Sequence, residues 1–159
     1  MSDHPTFSII PYAPEYRPAI RQILTNIGWE ERYITGQIES LQAFAQDRDF
    51  SGVWVALAAD AVAGFVTVQL YAWNRLAQLH GLAVDPAYQR MGLAAALVQR
   101  AENLARQRGW RGIYVDTPVT NTGARSFYAA QGYRQDYIMT AYYADDLDGV
   151  TYLKLFAIP

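Results

Sequence analysis

The sequence contains no cysteine. That excludes disulfides, thiolate metal sites and a cysteine nucleophile together. Histidine is nearly absent as well, with only His4 and His80, so a histidine-rich metal cage is not supported and no metal site is expected. A strong excess of one charge is missing too: 13 basic against 15 acidic residues leave a net charge of −2. Nothing in that balance points to nucleic acid or a membrane surface as partner. A polyanionic ligand would have to be held by local N–H groups and a few arginines. No apolar run reaches membrane-spanning length, and the opening "MSDHPTFSII" lacks the charged and apolar regions of a signal peptide. The expectation is a cytoplasmic protein. Repeats, low-complexity tracts and linker-like runs are also lacking, so residues 1–159 read as one domain. With 52% hydrophobic and 14% aromatic residues, it has enough apolar mass for a core of its own.

Hydrophobic period and turn residues give the order of elements. A strand is expected over Thr6–Ile10, then a helix over Glu15–Asn26 introduced by Pro14 and Pro18, a loop, and a second helix over Gly36–Gln46. "SGVWVALAAD" and "AVAGFVTVQLYAW" read as a hairpin turning at Asp60–Ala61, and "LAQLHGLAV" as a third strand stopped by Asp85–Pro86. After Gly92 the period changes. Leu93, Leu97, Ala101 and Leu104 recur at helical spacing up to Gly109. "GIYVDTP" is a short strand and "NTGARSFYAAQG" a short helix, capped by Asn121 or Thr122 and closed by Gly132. Strands over Tyr133–Tyr142 and Val150–Ile158 follow, joined across the acidic "ADDLDG". The order β-α-α-β-β-β-α-β-α-β-β implies an α/β (α+β) fold with a mixed sheet whose last crossovers are covered by helices.

The stretch "VDPAYQRMGLAAALVQRA" carries the strongest chemical signal. A strand ends at Val84, a short turn follows, and Gln89 to Ala94 lie where the first N–H groups of a helix lack intrahelical partners. Those donors either simply start the helix or hold an anion. The positive end of the helix dipole would favour a phosphate there without any side-chain charge. Small residues at Gly92 and Ala94 would let a diphosphate approach the backbone, and Arg90 could add a charge-assisted contact. No Gly-Lys-Ser/Thr follows, so this is not a Walker loop, and the three-glycine dinucleotide spacing is also missing.

"LHGLAVDPAYQRMGLAAALVQRA" followed by "NTGARSFYAAQGY" resembles the GCN5-related N-acetyltransferase (GNAT) superfamily. Gln89, Gly92 and Ala94 meet its Gln/Arg-x-x-Gly-x-Gly/Ala signature. Asn121, Ala124, Phe127, Tyr128, Gly132 and Tyr133 meet its later block. The resemblance implies a mostly antiparallel sheet with a splayed parallel strand pair, here Leu79–Val84 and Ile113–Thr117, and helices on both faces. It implies acetyl-CoA as cofactor. Leu82 and Val84, with Ala83 between them, would pair with the pantetheine arm. The N–H groups of Arg90, Met91, Gly92, Leu93, Ala94 and Ala95 would take the diphosphate, and Asn121 and Ala124 would lie near the pantetheine end. Asn121 also reads as a helix cap, and Arg125 either as a phosphate contact or as part of a solvated face. Tyr128 would be the general acid beside the cofactor sulfur. The family's frequent glutamate is replaced by Gln78, so the resemblance leaves His80 as candidate base, direct or through water, with a structural role as the alternative. By strand alternation His80 is expected to share a face with Gln78, Leu82 and Val84.

For the acceptor, the resemblance points to Trp29, Glu30, Glu31, Tyr33, Tyr71, Trp73, Gln78, Tyr142, Tyr143, Asp145 and Asp146. Aromatics with carboxylates suit a cationic amine, although tyrosines packed on a sheet and a solvated acidic turn would look the same. Three functions follow: an acetyltransferase for a small primary amine, one for protein N-termini or lysines, or a non-catalytic CoA-binding module. An open groove at Trp29–Tyr33 would favour a protein acceptor, and the missing glutamate at Gln78 is the best support for the module. Some members of the family dimerise through the C-terminal strands, so a homodimer is an open expectation.

Overall fold

A computed structural model describes residues 6–157. His4 and the expected strand end at Ile158 lie outside them. β1 (Phe7–Pro11) leads through a 3-10 turn at Pro14–Tyr16 into α1 (Arg17–Asn26) and α2 (Glu31–Gln46). β2 (Ser51–Ala58), β3 (Ala61–Tyr71) and β4 (Leu76–Val84) form an antiparallel meander. Then come α3 (Leu93–Gln107), β5 (Gly112–Pro118), α4 (Thr122–Ala130), β6 (Arg134–Ala144) and β7 (Leu147–Leu155). The seven strands make one sheet in the order β1-β2-β3-β4-β5-β7-β6, and β4–β5 is its parallel pair. No described helix is long and apolar enough to cross a membrane.

Several boundaries differ from expectation, among them the start of α1 at Arg17, the end of β7 at Leu155, and the starts of α2 and β7. α2 starts at Glu31 instead of Gly36. "EERYIT" reads as a loop because of its aromatic and β-branched residues, yet Ile34 continues the buried stripe of Ile38 and Leu41, and that packing overrides propensity. The acidic connection shrinks to Asp145–Asp146, because Leu147 and Asp148 already belong to β7. Asp148 Oδ1 accepts a hydrogen bond from the Ala141 N–H at 2.8 Å, which ties the bulged end of β6 to β7.

Helices cover both faces of the sheet, so β3 is almost wholly buried. One face packs Val66, Val68, Leu79, Ile113 and Val115 against Leu93, Leu97 and Tyr128 of α3 and α4. The other packs Val53, Val55 and Phe65 against Ile20, Leu24, Ile34 and Leu41 of α1 and α2. Each fully buried Leu, Ile or Phe contributes about 1.5–3 kcal/mol relative to an exposed one.

Two irregularities in β4 shape the candidate site. Its pairing with β5 runs only from Leu76↔Gly112 to Gln78↔Tyr114, while β4 continues to Val84 and β5 to Pro118. The strands therefore part just after Gln78. At the same point the register with β3 jumps from Thr67↔Gly81 to Val68↔Leu79, which leaves His80 as the extra residue of a bulge. The bulge resets the alternation and overturns the expected face-sharing. Leu82 and Val84 pack toward α3. His80 packs toward α2, edge-on to Phe44 with centroids 4.9 Å apart. Gly81 also faces α2, against Gln37, where a Cβ would come within 2.5 Å of the amide nitrogen. Only Gln78 stays on the same side as His80, its side chain bonded to Tyr71 and Asp116.

Candidate active site

The strand-to-helix turn after β4 is built by local hydrogen bonds. Asp85 caps a 3-10 turn at Pro86–Tyr88, its carboxylate accepting from the Ala87 N–H at 2.9 Å. Gln89 Nε2 reaches back to the Val84 carbonyl at 3.4 Å. Arg90 (φ +67°) and Gly92 (φ +80°) then take left-handed conformations that aim the chain into α3. Gly92 caps α3 without any side-chain hydrogen bond. The first intrahelical bond runs from the Ala96 N–H to the Gly92 carbonyl, so the N–H groups of Leu93, Ala94 and Ala95 have no partner within the helix. They line a cleft of about 250 Å³ together with Val84, Tyr88, Gln89, Arg90, Gly92 and Phe127. Leu93 takes part through its backbone alone, because its side chain is buried. Met91 does not line the cleft and is 41% exposed.

The free edge of β4 continues this cleft. Asp85 donates its N–H to the Ala63 carbonyl at 2.8 Å. Main-chain groups alternate sides along a strand, so Ala83 also faces β3, while those of Leu82 and Val84 face the gap. Ala83 therefore leaves the expected cofactor set, since its main chain serves the sheet and its side chain is buried toward α1 and α2. On α4, the Asn121 side-chain oxygen caps the helix by accepting from the Ala124 N–H at 3.1 Å. The Asn121 amide NH₂ remains available, whereas the Ala124 N–H is spent on the cap. Arg125 donates to the Val119 carbonyl, the Tyr152 hydroxyl and Gln135 Oε1, so it is not simply a solvated face.

Tyr128 projects from α4 and is 5% exposed. Its ring packs on Phe127, Tyr133 and Tyr152. Burial pushes its phenol far above the usual range, so it keeps its proton. His80 responds to the same cause with the opposite sign: partial burial disfavours the imidazolium and holds its pKa below the ordinary 6.5. The two lie on opposite faces of the sheet, and the opening between β4 and β5 is what connects those faces.

A polar network lies on the α2 face beside that opening. The Tyr71 hydroxyl sits 2.8 Å from Gln78 Oε1 and 3.0 Å from Gln69 Oε1. Gln78 Nε2 donates to one oxygen of Asp116 at 3.4 Å, and Thr151 Oγ1 donates to the other at 2.6 Å. Tyr114 stacks on Tyr71, with centroids 6.5 Å apart. Tyr142 reaches toward the same carboxylate, and burial, then the charge of Asp116, raises its pKa. The Tyr33 hydroxyl donates to the Tyr143 carbonyl at 2.7 Å and bridges α2 to β6. Burial, then the charge of Asp116, raises the pKa of Tyr143, and Tyr128 adds to the same effect across the opening.

The fold thus gathers Gln78, His80, Tyr33, Tyr71, Tyr142 and Tyr143, but not the other acceptor candidates. Trp73 stands in the β3–β4 turn, 85% exposed. Trp29 packs on the α1–α2 core. Glu30 pairs with Arg32 at 3.1 Å and Glu31 with Arg21 at 2.7 Å, both on exposed helix surface. Asp145 and Asp146 form the hairpin turn. Asp116 was hidden inside "GIYVDTP", where a lone carboxylate between apolar and aromatic residues of a buried strand was the available clue.

This is an α/β protein with one parallel strand pair opened into a gap, an uncapped helix start at one end, and a histidine and a buried tyrosine on opposite faces. The chain belongs to the acetyltransferase (GNAT) family, whose pattern its residues 21–133 match. It is 33% identical over 88 residues to streptothricin acetyltransferase of Streptomyces lavendulae, covering 55% of this chain and 45% of that protein. It is 31% identical over 83 residues to the ribosomal protein bS18-alanine N-acetyltransferase of Escherichia coli, covering 52% and 55% respectively. The chain therefore spans about half the length of these curated relatives. The PaiA N-acetyltransferase of Thermoplasma acidophilum, solved in complex with coenzyme A, shares the fold with a TM-score of 0.76 at 17% identity, over 95% of this chain and 99% of that one.

Proposed function

We propose that this protein is an acetyl-CoA-dependent N-acetyltransferase acting on a primary amine of a small molecule. The residues fit the cofactor. Unpartnered N–H groups at Leu93–Ala95 suit its diphosphate, and the Leu82 and Val84 main chain suits its amide-bearing arm. Acetyl-CoA supplies an activated acyl thioester. His80 takes the proton from the acceptor ammonium, directly or through water, so that the neutral nitrogen forms the new C–N bond. The Tyr128 phenol would give its proton to the leaving thiolate, and the second proton of the acylated nitrogen would restore the phenol through solvent. With no cysteine in the chain, direct transfer accounts for the reaction without an acyl-enzyme.

The observation that carries the small-molecule reading is the Tyr33–Tyr143 hydrogen bond at 2.7 Å. It straps α2 to β6 on the acceptor side and favours a bounded pocket over the open groove a protein segment needs. Exposed Tyr137, Ile138 and Met139 on the sheet's end strand β6 support a homodimer through that edge, which light scattering would test. The activity test is thiol release from acetyl-CoA with a panel of small amines and N-terminal peptides. Turnover of small amines is expected. Turnover of peptides alone would shift the reading to a protein acceptor, and CoA binding without turnover would make the chain a binding module.

A further inference from the structure

We propose that Asp116, walled by the rings of Tyr71, Tyr114 and Tyr142, is the docking point for the acceptor's ammonium group and makes the site selective for cationic alkylamines. The inference rests on the amine-acceptor reading above and names the residue that selects the amine.

Asp116 is half-buried on the α2 face of β5, two residues beyond the last pairing of β5 with β4. It therefore stands across the opening from the His80 bulge. Its carboxylate accepts from Thr151 Oγ1 at 2.6 Å and from Gln78 Nε2 at 3.4 Å. Both donors are neutral, and none of the four ion pairs among the described residues includes Asp116. A half-buried carboxylate held by dipoles alone lacks the counter-charge that usually offsets its desolvation. Every other carboxylate considered for the acceptor is either paired with an arginine or placed at the hairpin turn.

The surrounding rings are arranged to hold a cation. Tyr71 and Tyr114 stack with an interplanar angle of 22°. Tyr142 comes from β6 and must cross β7 to reach Asp116. It does so over Gly149, where an added Cβ would meet the Tyr142 ring at 2.9 Å. Gly149 lies two register steps from the Asp116↔Thr151 pair and so on the same face. The glycine thus clears the path by which an aromatic ring closes over the carboxylate. Rings beside a carboxylate combine cation–π attraction with charge pairing, a combination that a neutral alcohol or amide acceptor could not use.

The test follows backbone amide NMR shifts while the protein is titrated with ethylammonium chloride, with sodium chloride at matched ionic strength as control. Shifts clustered at residues 114–118 and 142–143 are expected with ethylammonium alone. They should weaken roughly ten- to a hundredfold in D116N, the range of a charge-assisted hydrogen bond. G149A keeps the carboxylate but displaces Tyr142, and should weaken them by a few-fold on the scale of an exposed cation–π contact. For whichever amine the wild type acetylates, D116N should raise KM over the same range and leave both kcat and the CoA Kd nearly unchanged. Absence of ethylammonium shifts at these residues, or wild-type affinity in D116N, would overturn the proposal, as would a fall in kcat at constant KM. If no amine is turned over at all, the acetyltransferase reading fails while the ethylammonium titration still decides the role of Asp116.

Discussion

Desolvation opposes the charged form of both His80 and Tyr128, weakly at His80, which stays exposed, and strongly at buried Tyr128. It holds His80 below its ordinary 6.5, so the proton-accepting imidazole is already dominant at neutral pH. The rate should hold steady down to about pH 6.5 and fall only in more acidic solution as the imidazolium forms. H80Q should be slower by roughly 10²-fold and lose this acidic limb, as read from kcat against pH; an unchanged profile would end its candidacy as base. Tyr128 titrates far above the usual range, so its protonation imposes no alkaline loss over the accessible pH range. Y128F should lower kcat by roughly 10²-fold with CoA affinity intact by calorimetry; a variant at wild-type kcat would remove the acid role. Both candidates could be named from the sequence, because each stands in or beside a local motif. Asp116 could not be. Its meaning comes from Gln78 on β4, Tyr142 on β6 and Thr151 on β7, which only the sheet order brings together.

At the scale of elements, the start of α3 carries the cofactor reading. Ala95 lies in its first turn and lines the cleft. An acidic side chain there complements the helix dipole but repels a diphosphate. A95D should leave stability unchanged or raised by about 0.5 kcal/mol, while acetyl-CoA affinity falls on the order of tenfold or more. Thermal unfolding and calorimetry on one sample give both signs, and undiminished affinity would contradict the assignment. The turn and helix were legible because glycine and the change of period mark them in the sequence. The β4 bulge was missed because simple alternation carries on through "LHGLAV", although a glycine inside a strand is a physical hint of irregularity. The early start of α2 was missed for a different reason: Ile34 earns its helical place from contacts with a sheet more distant in sequence.

Across the whole molecule, a buried charge cluster ties the cofactor helix to the C-terminal sheet. Glu102 of α3 has a side chain only 5% exposed; it pairs with Lys154 of β7 at 2.9 Å and accepts from the Tyr133 hydroxyl at 3.0 Å. Lys154 also donates to the Gln131 carbonyl at the end of α4, so one lysine links three elements. E102A would strand Lys154 and should cost about 3 kcal/mol, read as a lower denaturant midpoint with unchanged slope; a loss well under 1 kcal/mol would show the cluster to be dispensable. The order of elements was readable from periodicity and turns, whereas the splay depended on family resemblance and the two-faced layout of the site depended on the bulge. In the proposed reaction, cofactor and acceptor would approach from opposite faces and meet through the opening between β4 and β5. That account depends first on a ligand carrying a diphosphate and a pantetheine arm. Calorimetric titration of the protein with CoA and, separately, with pantetheine tests it most directly. The prediction is one CoA per chain and pantetheine weaker by roughly a hundredfold, about two tenfold steps of binding free energy. No CoA binding, or equal affinity for the two ligands, would contradict it.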